Sequence, residues 1–171
     1  MSMTNDSAFD DEAFEADIPW ASPEIRLKYE AALGRMLLAF NYIEHLTSCI
    51  VKKMLIRLGN PDLAERCSNV SFEQKVQFLE ILNYSSESGA INSINFKALR
   101  DIAGERNFLA HGHFDQNPFD GSYDIINHKR KRDRGAFYSA DRLDNITYKA
   151  EEIAESLRLS EAYFNFEKVS E

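Results

Sequence analysis

An all-α fold, an up-and-down helical bundle with a small β-hairpin inserted before the last helix, is what this sequence predicts. Apolar residues recur at spacings of three and four over most of the chain, and helix start and stop residues bracket those stretches. The pattern breaks only after Gly112, where Asn117-Pro118, Asp120-Gly121 and Arg134-Gly135 punctuate short β-prone segments. At 171 residues the chain has the length of one ordinary domain of roughly 100–200 residues. With 44% hydrophobic residues, 12 Phe and 7 Tyr, it carries enough apolar area to offset the chain entropy lost on folding. No internal repeat or low-complexity linker recommends a second domain.

Taken in order, residues 1–22 read as an acidic tail, expected to be mobile unless Phe9, Phe14 or Trp20 docks it. Ser22-Pro23-Glu24 then starts a helix, with proline at an early position where its missing N–H does no harm. Leu27, Ala31, Leu38, Tyr42, Leu46, Cys49, Ile50 and Met54 carry it toward Leu58 as one face, and Gly59-Asn60-Pro61 ends it. Ser71-Phe72-Glu73-Gln74 has the spacing of a capping box, with Val76, Leu79 and Leu82 on the face that follows. Asn83 to Gly89 reads as a loop. The next helix is expected from about Asn92 to His111, closing near Gly112. Tyr123, Ile125 and Ile126, then Phe137 and Tyr138, suit a two-stranded hairpin at about 114–143. Ile146, Ala150, Ile153, Leu157 and Phe164 mark a last helix from about Asn145 to Phe166, so residues 23–171 form one helical domain.

The net charge of −8 is unevenly placed: positions 1–24 hold seven acidic residues and no Lys or Arg, leaving −1 for the remainder. A phosphate-rich partner would therefore need a local basic site. Lys129, Arg130, Lys131, Arg132 and Arg134, expected at the hairpin tip, offer one and are candidate RNA contacts, although a solvated turn is the commoner role of such a cluster. Cys49 and Cys67 show no CxxC spacing and read as reduced thiols. The amino terminus has neither a basic start nor a continuous apolar core. A secretory signal and a membrane span are thus unsupported, and a cytoplasmic protein is expected.

The stretch from Leu99 to Gly112 is the most informative. At about 100° per residue, Leu99, Ile102, Arg106 and Leu109 share one stripe, which puts an arginine in the middle of a face that should be buried. An unpartnered buried guanidinium is expensive. Arg106 must pair, with Glu44 on the first helix as a candidate, or open into a polar cleft. Asn107 and His111 lie four apart and can stand side by side. Arg106 and His111 point roughly 140° apart on an ideal helix, so one ligand meets both only at a helix end or between two such helices. A symmetric dimer would create that shared cleft.

Arginine can clamp a phosphate, asparagine can orient a side chain or ribose hydroxyl, and histidine exchanges a proton near neutral pH. These are the ingredients of metal-free RNA cleavage: activate the 2′-hydroxyl, stabilise the phosphorane, protonate the leaving oxygen. A buried ion-pair arginine and a helix-ending histidine would explain the same residues without any chemistry. His113 and Asp115, with Asp120 and His128 nearby in sequence, form an array that fixes no metal geometry. No metal or other cofactor is predicted.

The segment Arg106-Asn107-Phe108-Leu109-Ala110-His111 resembles the Arg-x4-6-His motif of the HEPN superfamily (higher eukaryotes and prokaryotes nucleotide-binding domains), including the polar residue after the arginine. The order of helices over about 24–166 is similar to that of HEPN all-α domains. The resemblance implies a metal-independent ribonuclease, of the kind acting as toxins or in phage defence, that dimerises and builds its cleft from both subunits. It makes Arg106 and His111 catalytic and Asn107 supporting, and it leaves room for a protein regulator such as an antitoxin. It also implies the alternative of a noncatalytic relative that binds RNA or protein as a scaffold. The hairpin before the last helix lies outside the minimal family pattern.

Overall fold

Two long helices at opposite ends of the chain form the frame. In the computed structural model, which describes residues 22–67, 69–85, 94–117, 119, 122–127 and 134–166, helix α1 spans Pro23–Arg57 and α5 spans Ala140–Phe166. The pairs Lys28–Asp141 (2.9 Å), Arg35–Asp144 (2.6 Å) and Lys53–Glu161 (2.7 Å) advance along both helices in the same sense, so α1 and α5 run parallel. The acidic segment 1–21 and the basic positions Lys129, Arg130, Lys131 and Arg132 lie outside the described residues.

Helix α1 starts as its sequence dictates: Ser22 Oγ accepts from the Glu24 N–H at 3.3 Å, and Pro23 occupies the first turn. It stops at Gly59, whose φ of +76° is the left-handed conformation that a residue without a Cβ adopts at no steric cost. The buried face, however, is rotated from the expected one in its first half. Tyr29, Ala32, Met36, Phe40 and Ile43 point into the core, whereas Leu27, Leu38 and Tyr42 are exposed. The run Ala31 to Phe40 is so rich in apolar residues that more than one stripe fits a helical period, and contact with α5 and the sheet selects among them.

Two further differences concern element ends. Asn60-Pro61 ends α1 and also starts a short helix, α2 (Pro61–Cys67), which buries Ala64 and Cys67. Helix α3 (Phe72–Ser85) continues through Asn83, where a loop is expected. Its start is the anticipated reciprocal cap: Ser71 N–H donates to Gln74 Oε1 at 3.0 Å and Gln74 N–H to Ser71 Oγ at 3.4 Å. Val76, Leu79 and Leu82 are buried as expected.

Helix α4 (Phe96–His111) is capped by Asn95, whose Oδ1 accepts from Ala98 N–H at 3.0 Å. Glu105 of α4 approaches Arg142 at the start of α5, while Ile94 and Ala98 share a groove with Ile153 and Leu157 farther along it. Helix α4 is therefore antiparallel to α5 within the all-α bundle. Leu99, Ile102 and Leu109 of α4 meet Ile43, Leu79, Leu143 and Leu157 in one core. Full burial of each such side chain contributes about 1.5–3 kcal/mol.

Between α4 and α5 the chain forms an antiparallel sheet of three strands, β1 (His113–Gln116), β2 (Tyr123–Asn127) and β3 (Arg134–Phe137), in the order β1-β2-β3. The expected hairpin is β2–β3. The additional strand β1 pairs Phe114 with Ile125 across from it. Ile125 is completely buried, and Tyr123 stacks on Tyr29 of α1 with ring centroids 4.0 Å apart. The sheet thus caps the first turns of α1 rather than projecting from the bundle.

Candidate functional site

The α4 stripe behaves as its spacing predicts, with Leu99, Ile102 and Leu109 buried and Arg106 half-buried among them. Arg106 opens into a cleft of about 500 Å³ between α1 and the facing parts of α3 and α4. That volume falls within the range of about 300–1,000 Å³ usual for ligand sites. Phe40 and Glu44 contribute from α1, Phe72 and Glu73 from the start of α3, and Arg106 and Asn107 from α4. Phe40 and Phe72 meet edge to face at 5.1 Å, and the Arg106 guanidinium carbon lies 5.4 Å from the centre of the Phe40 ring.

Ion pairing distinguishes the charged groups here. Lys75, whose side chain is 7% exposed, donates to Glu44 Oε1 at 3.2 Å. Arg100 is held twice, by Glu73 at 3.1 Å and Glu80 at 2.7 Å. Glu44 is therefore a neighbour of Arg106 across the cleft, and its ion-pair partner is Lys75. Arg106 donates from Nη1 to Asn107 Oδ1 at 3.1 Å, and among the described residues no carboxylate pairs with it. Among the described residues most of its donors meet no protein acceptor. The surrounding acids and bases nearly balance, so an anion would be held by close contact with Arg106 rather than drawn in by a long-range field.

His111 occupies a different environment. It is exposed in the last turn of α4 and is not among the residues lining the Arg106 cleft. The chain leaves this helix through Gly112, where a Cβ would sit 2.1 Å from the Ile125 side chain and 3.0 Å from the Phe108 carbonyl oxygen. Nearly two turns back, beside Arg106, Glu105 accepts a hydrogen bond from the Tyr138 hydroxyl and lies 3.8 Å from Arg142. Arg142 also covers the Tyr138 ring at 3.9 Å and donates to the Phe137 carbonyl at 2.9 Å. Burial, reinforced by the hydrogen bond and charge of Glu105, pushes the Tyr138 hydroxyl well above its ordinary value. This knot ties α4 to the sheet exit and the start of α5.

The structure thus brings Arg106, Asn107 and Glu44 to one cleft and places His111 apart from them within the chain. Of the basic run, only Arg134 falls on a described element, opening β3. His113 and Asp115 alternate along β1, and among the described residues no three His, Cys, Asp or Glu side chains converge in a way that could hold a metal ion. Asp120 and His128 lie outside the described residues. No helix among the described residues is long and apolar enough to cross a membrane. Sequence reasoning did not single out Lys75 or Arg100 and gave Tyr138 only a place in the hairpin; the partners of all three lie on other helices and leave no local spacing signal. Comparison with protein-family models, with curated proteins and with solved structures gives no match.

Proposed function

We propose that this chain is a metal-independent endoribonuclease of HEPN type that works as a homodimer. The observation that carries the reading is Arg106: half-buried, open to a cleft, supported by Asn107 and Phe40, and without a carboxylate partner among the described residues. A guanidinium with free donors in such a place suits a phosphate, whose oxygens it can meet with two parallel hydrogen bonds. In this reading Arg106 holds the scissile phosphate and stabilises the charge that gathers on its oxygens, and Asn107 fixes the guanidinium. His111 of a second subunit completes the cleft as the proton-exchanging group, which is why its exposure at the end of α4 suits a shared site. The cytoplasm is the compartment for this activity, and a protein regulator such as an antitoxin is an expected partner.

The direct test is cleavage of a mixed pool of structured and single-stranded RNAs in EDTA by the native protein, Arg106→Ala and His111→Ala. Products ending in 2′,3′-cyclic phosphate, formed by the native protein and lost in both variants, are expected. One observation favours a second reading, a noncatalytic RNA- or protein-binding scaffold of the same fold: His111 does not line the cleft within the chain. A folded, dimeric native protein that binds RNA without cleaving it would establish that alternative.

A further inference from the structure

The cleft holds a second group suited to proton transfer. From its placement we infer that Glu44 is the general base that takes the 2′-hydroxyl proton in RNA cleavage, an assignment that rests on the ribonuclease reading above. Three features single it out. Glu44 lines the same cleft as Arg106 and Asn107, and its side chain is 34% exposed, so a ligand seated on Arg106 can reach it. Lys75, almost wholly buried, donates to Oε1 at 3.2 Å and so anchors the carboxylate. Among the described residues no hydrogen bond engages Oε2. One oxygen is held and the other is available, the arrangement a positioned base needs.

The other acid lining the cleft, Glu73, also has only Oε1 engaged among the described residues, by Arg100 at 3.1 Å and Gln77 at 3.3 Å, but its side chain is 50% exposed and lacks the buried anchor that Lys75 gives Glu44. His111 does not line the cleft of its own subunit. Cleavage needs two proton transfers, and the two groups divide them. The 2′-oxygen attacks phosphorus and forms the new P–O bond as its proton passes to Glu44. The bond from phosphorus to the 5′-oxygen breaks, and the leaving oxygen takes a proton from the imidazolium of His111 in the second subunit. Arg106 holds the non-bridging oxygens throughout. The 2′,3′-cyclic phosphate and the 5′-hydroxyl are the products.

The experiment compares two substrates with the full-length protein in EDTA: a short RNA, and uridine 3′-(4-nitrophenyl phosphate), whose leaving group departs without protonation. Glu44→Gln is expected to lose about 10²–10⁴-fold on both substrates, because both need the 2′-hydroxyl activated. His111→Ala is expected to lose more on RNA than on the nitrophenyl ester. Glu44→Asp, which keeps a carboxylate, should recover part of the loss and guards against misfolding of the glutamine variant; matching circular dichroism is the control. If Glu44→Gln cleaves both substrates within about threefold of native while Arg106→Ala is inactive, the assignment of Glu44 is overturned and the ribonuclease reading stands. If the native protein cleaves neither substrate, both are overturned.

Discussion

The two halves of the most informative segment, only five residues apart, live under opposite constraints. At Arg106 the bundle leaves a cleft of about 500 Å³, an arginine without a carboxylate partner and a glutamate with one oxygen unengaged among the described residues. At the end of the same helix there is no slack. Gly112 packs so closely on Ile125 and Phe108 that a single added carbon collides, and where the chain leaves the sheet for α5, Tyr138 and Arg142 interlock with Glu105, the residue before Arg106. The first region spends packing and polar satisfaction to keep groups available, and the second fixes where the helix ends and hence where His111 stands. Open polar groups beside a rigidly set boundary are the combination a positioned site requires.

The largest effect should come from the open region. Arg106→Ala is expected to reduce RNA cleavage by about 10²–10³-fold or more, since it removes the donors aimed at developing charge. Its thermal stability should stay close to native, because Arg106 is half-buried without an ion pair among the described residues. A melting temperature that falls steeply with the activity would recast Arg106 as structural.

The closed region should respond in the opposite way. Gly112→Ala forces Ile125 or the Phe108 carbonyl to move and should cost about 1–3 kcal/mol, as overpacked sites do. For a chain of this size that is roughly 3–10 °C in melting temperature. An unchanged melting curve would mean that the sheet yields at Ile125. Tyr138→Phe, which removes the hydroxyl that Glu105 accepts from, should cost about 1–2 kcal/mol, read from denaturant midpoints.

A smaller effect is expected at Tyr29. Its hydroxyl is buried with no hydrogen-bond partner among the described residues, and burial, then the charge of Tyr123, pushes it from 10.0 up to about 12. The fold prefers the neutral phenol, so this contribution to stability is intact below pH 10 and is lost as the pH rises from 10 through about 12. Tyr29→Phe should leave stability at pH 7 within about 1 kcal/mol of native, because the hydroxyl it removes forms no hydrogen bond. It should also flatten the alkaline loss, followed by circular dichroism against pH. A variant that unfolds earlier in alkali than native would contradict the placement of that hydroxyl.

Which of these features the sequence discloses follows from the range of the interactions. Local signals are legible: Ser22 and Ser71 start their helices, Gly59 ends one, and the spacing of Leu99, Ile102, Arg106 and Leu109 marks a single face. The face of α1 is not, because Leu27, Leu38 and Tyr42 are as apolar as Met36, Phe40 and Ile43, and only the packing of α5 and the sheet chooses between them. Strand β1 is missed for a related reason: His113-Phe114-Asp115-Gln116 is a weak strand former that becomes one by pairing with β2. Within the site, Arg106 stands out because a charge interrupts an apolar stripe. Lys75, the partner that takes Glu44 away from it, lies 31 positions from Glu44 and has no such mark.

Whether one protomer's arginine works with another's histidine is the central claim, and subunit mixing tests it most directly. Arg106→Ala and His111→Ala are each inactive in the proposed mechanism, yet a heterodimer of the two assembles one intact cleft. An equimolar mixture, unfolded together and refolded, should recover about a quarter of native RNA cleavage in EDTA, half of the dimers being mixed with one working cleft of two. No recovery, from a mixture shown to exchange subunits and from a native protein that cleaves, would contradict the shared cleft and place both residues' action within a single chain.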